Sequence, residues 1–325
     1  MGDAWSREEI AEFLAQYHGA RIDDLEALTG GWWSSAWGYR VADEEFVLRV
    51  GGNASWYEAD RRAMAFARPG LPVPEVRDVA LTSDDRAYAI SVRHRGRFLE
   101  ETPPELSATL SPTLTQLLLA LYSVPSDEHE RVLWHQEDAP AMTWREFLLA
   151  GLLDDPASAT HGWSTTLAAD PTLSALASKV DTRIRALVEA CAERRDLVHG
   201  DLLHGNVLIS PRADRVEAVF SWKCSVRGDF LYDVAWCTFW APWHEGIAAV
   251  DPLSDVIAAV AVRDEPEALT DAAVRHHCYE LQIGFTHLGW NIWTNNQADL
   301  AATAHRLDEI LQRGPRRDLG TEPVH

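Results

Sequence analysis

Three residues in the second half of the chain have the types and spacing of a phosphoryl-transfer loop. His199, Asp201 and Asn206 form the pattern H-x-D-x-x-x-x-N, and the apolar run Val207-Leu208-Ile209 follows at once. On one short loop, a carboxylate and an amide at this spacing can aim at an attacking hydroxyl and at a metal ion on nucleotide phosphates. Asp201 would orient the hydroxyl and take its proton. Asn206 would hold magnesium, and His199 would fix the loop by hydrogen bonds. The bland alternative, an Asp capping a turn, does not predict an Asn five residues on followed by strand, turn and strand. Gly228-Asp229 downstream fits a buried carboxylate that braces the loop backbone.

A second strand, over 217–220, should deliver another metal-binding carboxylate at its end, and that position is Ser221. A serine hydroxyl is neutral and shorter than a carboxylate, a poor replacement on a hard cation. Lys223, two residues on, could act as a fixed cation if it shared a strand face with Ser221. Three readings stay open: an active enzyme with a rearranged metal site, a binding protein without turnover, and an active enzyme disabled by substitution.

Other residues would position the phosphates. In Glu45-Phe46-Val47-Leu48-Arg49-Val50 one cation stands opposite its apolar neighbours. Arg49 can grip phosphate bidentately, with Glu58 on the next helix as its expected partner and Asp60 in reserve. Gly30-Gly31-Trp32-Trp33-Ser34-Ser35 lies between the first two strands, where glycines permit close approach and Ser34 or Ser35 could donate to a phosphate oxygen.

The elements that carry these residues are legible in outline. Ser6 and Glu9 form a capping box for a helix ending near Tyr17. Strands are expected over 24–29, 36–41, 45–50, 76–81 and 86–92, with a helix over 55–67 between the third and fourth. Beyond Gly96 helical spacing dominates, over 111–122, 144–152, 173–192, 231–240, 276–293 and 298–312, with a loop over 154–171. This is an α+β architecture: an N-terminal lobe over 1–93 with a five-stranded antiparallel sheet and a helix, and a mainly helical lobe over 94–325.

Composition narrows the function classes. The net charge of −21 argues against nucleic acid or anionic membrane as partner and suits a cationic ligand, although acidity also serves solubility alone. No apolar run approaches the roughly eighteen residues of a membrane span. Four scattered cysteines without a C-x-x-C pair read as reduced thiols of a cytoplasmic protein. Some of the fourteen tryptophans could line a cleft for flat or sugar-like ligands.

Taken together, FVLRV (46–50), LPVPEV (71–76), YAIS (88–91), MTWREF (142–147), LVHGDLLHGNVL (197–208), GDFLYDVA (228–235) and FWAPW (239–243) resemble the aminoglycoside phosphotransferase family over nearly the whole length. MTWREF and FWAPW favour its hygromycin branch. The resemblance implies a protein kinase-like two-lobed fold, ATP with Mg2+ as donor, and a cationic aminocyclitol sugar as acceptor. It also implies adenine against Ser91-Val92-Arg93, with Asp233, Trp240 and Trp243 facing the acceptor; the tryptophans fit a core role equally. A nucleoside antibiotic, an amino alcohol or another sugar are alternative acceptors. The family carries a metal-binding Asp where this chain has Ser221.

Overall fold

The computed structural model describes residues 5–28, 34–127, 130–136, 138–263 and 265–319. Its elements begin with α1 (Arg7–His18), β1 (Asp23–Leu28), β2 (Ser35–Val41), β3 (Glu44–Val50), α2 (Ala54–Ala63), β4 (Val76–Leu81), β5 (Ala87–Val92) and β6 (Arg97–Phe98). Four helices follow: α3 (Ser107–Tyr122), α4 (Trp144–Ala150), α5 (Trp163–Ala169) and α6 (Pro171–Leu187). Next come β7 (Asp196–Val198), β8 (Val207–Ile209), β9 (Val216–Val219) and β10 (Val226–Gly228). The chain ends with α7 (Leu231–Trp240), α8 (Glu245–Ala248), α9 (Pro252–Ala261), α10 (Ala272–Trp293) and α11 (Gln297–Arg313).

These elements form two units, one of residues 1–101 with 201–224 and one of residues 102–200 with 225–325. The division differs from a single cut after residue 93. Arg97 and Phe98 of β6 pair with Ile209 and Leu208 of β8, and β8 pairs with β9. Those backbone ladders stitch the catalytic stretch into the first unit.

In the first unit the five long strands lie in the order β1-β2-β3-β5-β4, all neighbours antiparallel. The alternation of β3 buries Phe46, Leu48 and Val50 on one face. They join Leu25, Tyr39, Tyr88 and Ile90, with Ile10 and Leu14 of α1 in the same cluster. The expected capping box is present, with Ser6 Oγ accepting from Glu9 N and the Glu9 carboxylate accepting from Ser6 N.

In the second unit the long helix α10 packs against α6, α7 and α11. Gly284 makes the crossing possible, since a Cβ there would lie 2.5 Å from Leu307 and 2.7 Å from Phe239. Some expectations need correcting. Helix α3 starts at Ser107, so Pro112 sits inside it rather than at its first turn. The stretch over 154–171 is not all loop but contains α5, and α8 and α9 were not foreseen. Asp251 before Pro252 is a cap signal for α9, with its carboxylate accepting from Ser254 N. The last helix begins at Gln297 as expected, within a residue.

His277 on α10 is 1% exposed, and neither ring nitrogen has a hydrogen-bond partner. Burial pushes its pKa down to about 4. The folded protein therefore binds this proton less readily than the unfolded chain, whose His titrates near 6.5. This stabilisation is present in full above that value and is lost as pH falls toward about 4. We expect unfolding free energy to fall by about 3 kcal/mol across that window. His277→Leu should remove much of the slope in denaturant unfolding followed against pH; an unchanged slope would contradict the assignment.

Candidate active site

The catalytic stretch is built on a short hairpin. Val207 pairs with Val219, and just beyond the ladder Phe220 N donates to Asn206 O at 3.0 Å. The hydrogen bond sets Asn206 opposite Phe220, with Ser221 the next residue. At the far end Ser210 Oγ donates to Asp214 at 2.6 Å and closes the turn between β8 and β9.

The loop itself needs tight left-handed turns. Gly200, His204 and Gly205 have φ of 73°, 64° and 78°. Asn206 Nδ2 donates to Asp201 O at 2.7 Å and to Leu203 O at 2.9 Å, which spends both amide hydrogens and leaves its side-chain oxygen as the atom able to meet a ligand. Asp201, its side chain 19% exposed, has Oδ1 2.9 Å from His204 Nδ1. The Glu100 carboxylate accepts from Gly205 N, a contact that no sequence pattern announced. Burial lifts the Glu100 pKa above the ordinary range, and the Gly205 N–H works against that rise.

In the second unit the two residues ahead of Asp201 are held by Asp233. Its carboxylate accepts from His199 N at 2.7 Å and from Gly200 N at 2.9 Å, and the residue is 1% exposed. Both oxygens are spent on backbone, so Asp233 braces the loop and does not face an acceptor. Asp229, expected to be the brace, does other work. It takes Leu231 N at 3.1 Å and Tyr279 Oη at 2.7 Å, and it pairs with Arg275 at 3.2 Å. Helix phase explains the difference: Asp229 precedes α7 and accepts from its first N–H, whereas Asp233 lies in its first turn.

Arg49 projects from β3, but its partner is Asp60 and not Glu58. Tyr57 and Asp60 share the buried face of α2, whereas Glu58 pairs outward with Arg61 at 2.6 Å. The Arg49 guanidinium also lies 4.9 Å from the centre of the Tyr57 ring. Asp60 Oδ1 in turn accepts from Trp222 N at 2.6 Å. One carboxylate thus joins the strand cation to the turn that carries Ser221.

Ser221 has φ of 71°, a left-handed conformation that Asp and Asn tolerate better than Ser. The strand ends at Val219 and a 3-10 turn, Trp222–Cys224, follows. Lys223 therefore does not share a strand face with Ser221; its ammonium lies 5.0 Å from the centre of the Trp56 ring.

The remaining expected residues are dispersed. Gly30, Gly31, Trp32 and Trp33 lie outside the described residues. Ser35 Oγ donates to Val50 O at 3.5 Å, and Ser34, just ahead of β2, is half-buried. Ser91 and Val92 end β5, where Val92 N donates to Glu75 O. Arg93 N donates to Glu45 O, and the Arg93 guanidinium pairs with Glu26 at 2.6 Å. In the second unit Trp240 is 7% exposed and packs 5.1 Å from Trp243, 6.2 Å from Trp236 and 4.8 Å from His287. Trp236 and Trp240 share a helix face with Asp233, a spacing visible in sequence; His287 gave no signal.

Comparison with known proteins agrees with this geometry. Residues 24–269 match the phosphotransferase enzyme family, APH. The chain belongs to that family. The hygromycin-B 4-O-kinase of Escherichia coli is 31% identical over 296 residues, covering 90% of this chain and 82% of the relative. The crystal structure of the aminoglycoside phosphotransferase APH(4)-Ia superposes with a TM-score of 0.78 at 27% identity, covering 96% of this chain and all of that one. A thermostable mutant of the same enzyme, in ternary complex with AMP-PNP and hygromycin B, has a TM-score of 0.77 at 28% identity, covering 93% and 98%. The APH chain described here accordingly has a protein kinase-like fold and is a small-molecule kinase by family.

Replacing Asp233 tests the brace. Asp233→Ala leaves two N–H groups without their acceptor and should cost about 2–4 kcal/mol of unfolding free energy. Asp233→Asn, which keeps one acceptor oxygen, should cost less. Denaturant unfolding measures both, and equal stability of all three proteins would remove the bracing role.

Proposed function

We propose that this chain is an ATP-dependent O-phosphotransferase that modifies a hydroxyl of a hygromycin B-type aminoglycoside in the cytoplasm and so confers resistance. The observation that carries the reading is the Asp201–Asn206 loop on its hairpin, in one unit with the Arg49–Asp60 pair. Asp201 aligns the acceptor hydroxyl and takes its proton as the oxygen attacks the terminal phosphorus. Arg49 holds phosphate oxygens with a charge fixed by Asp60, and the backbone near Ser91, Val92 and Arg93 meets the adenine. Alignment and charge, rather than covalent chemistry, account for the rate. The net charge of −21 favours a polycationic acceptor.

A magnesium ion, when bound, neutralises charge on the transferring phosphoryl group. The residues here fit it poorly. Asn206 offers one neutral oxygen and Ser221 a hydroxyl, and no step is routed through the metal. That observation favours a second reading, a binding protein of the same fold that holds nucleotide or antibiotic without turnover.

The test is incubation of the purified protein with ATP, magnesium and an antibiotic panel headed by hygromycin B, with product detected by mass spectrometry. A phosphorylated product is expected, and Asp201→Asn should lower its rate by about 100-fold or more. Tight antibiotic binding with no product would support the second reading instead.

A further inference from the structure

The turn at Ser221 stands where the family resemblance places a metal-holding Asp, and its shape is fixed by its surroundings. Three features fix that shape: the Phe220 N–H on Asn206 O, the Trp222 N–H on Asp60, and the left-handed backbone of Ser221 between them. Nothing in the geometry of Ser221 itself requires a left-handed residue; its neighbours impose it. A serine bears backbone strain there that an asparagine or aspartate tolerates better. An Asp at the same position would add a carboxylate one residue beyond Phe220, whose N–H donates to Asn206 O.

A substitute carboxylate would have to come from nearby, and the nearest by hydrogen bonding is Asp60. Both its oxygens are engaged, one by Trp222 N and the other by Arg49. Freeing either would release the turn or strand the buried Arg49 charge, which is 18% exposed. Glu58 is committed to Arg61 on the outer face of α2. Among the described residues no group of three or more His, Cys, Asp or Glu side chains is placed to hold a metal ion. Lys223 brings a positive charge to the same turn, which opposes a dication further.

We infer that Ser221 has reduced a two-point magnesium site to the single neutral oxygen of Asn206, so that nucleotide binds this chain with little help from magnesium. The inference rests on the nucleotide-binding reading given above. It names this chain's nucleotide as one gripped mainly through Arg49 and the backbone, with any accompanying magnesium held by the nucleotide's own phosphates.

The experiment is calorimetric titration of AMP-PNP into the full chain, with magnesium and with a chelator, for the unmodified protein, Ser221→Asp and Ser221→Asn. Magnesium should tighten binding less than about 3-fold in the unmodified protein and about 10-fold or more in Ser221→Asp. Ser221→Asn relieves the backbone strain without adding charge, and it should behave like the unmodified protein. Equal magnesium enhancement in the unmodified protein and Ser221→Asp would overturn the inference alone, as would an Asn variant that matches Asp. No AMP-PNP binding by any of the three under either condition would overturn the nucleotide-binding reading and the inference with it.

Discussion

The hydrogen bonds of one buried carboxylate organise the first unit. Asp60, 3% exposed on α2, neutralises Arg49 from β3 and receives the N–H of Trp222 from the turn after β9. A buried charge is tolerated only when it is paired and its remaining lone pairs are used. Here both conditions are met by groups that the proposed chemistry needs in register. Arg49 and the turn that carries Ser221 are therefore fixed by the same side chain. Losing Asp60 would disturb both at once.

The second unit uses its own pair of buried carboxylates differently. Asp229 and Asp233 are four residues apart, yet one anchors the start of α7 to Arg275 and Tyr279 while the other accepts from the backbone ahead of Asp201. The division of labour follows from where the helix begins. A residue just before the first turn points its carboxylate at that turn's own N–H groups, and one inside it reaches a neighbouring strand.

Much of this architecture is legible in the amino-acid sequence. Hydrophobic alternation placed the five strands of the sheet to within about two residues, because one buried face leaves a period of two in the sequence. The loop motif was readable because its spacing answers to chemistry. The partner of Arg49 was not: Glu58 and Asp60 both lie on α2, and only the phase of the helix against the sheet selects Asp60. The roles of Asp229 and Asp233 were exchanged for a similar reason, since the first turn of α7 was not fixed by sequence. Strands β7 and β10, three residues each, are too short for a periodic signal. Glu100 reaches Gly205 across more than a hundred residues, a pairing that no local pattern carries.

The most direct test of the account is hydrogen exchange of the peptide spanning residues 220–224 in the unmodified protein and in Asp60→Ala. If Asp60 ties the turn to the sheet, the Trp222 amide should lose its protection while the amides of β2, paired with β3, keep theirs. Unchanged protection at Trp222 would show that the turn holds itself, and it would contradict the central role given to Asp60.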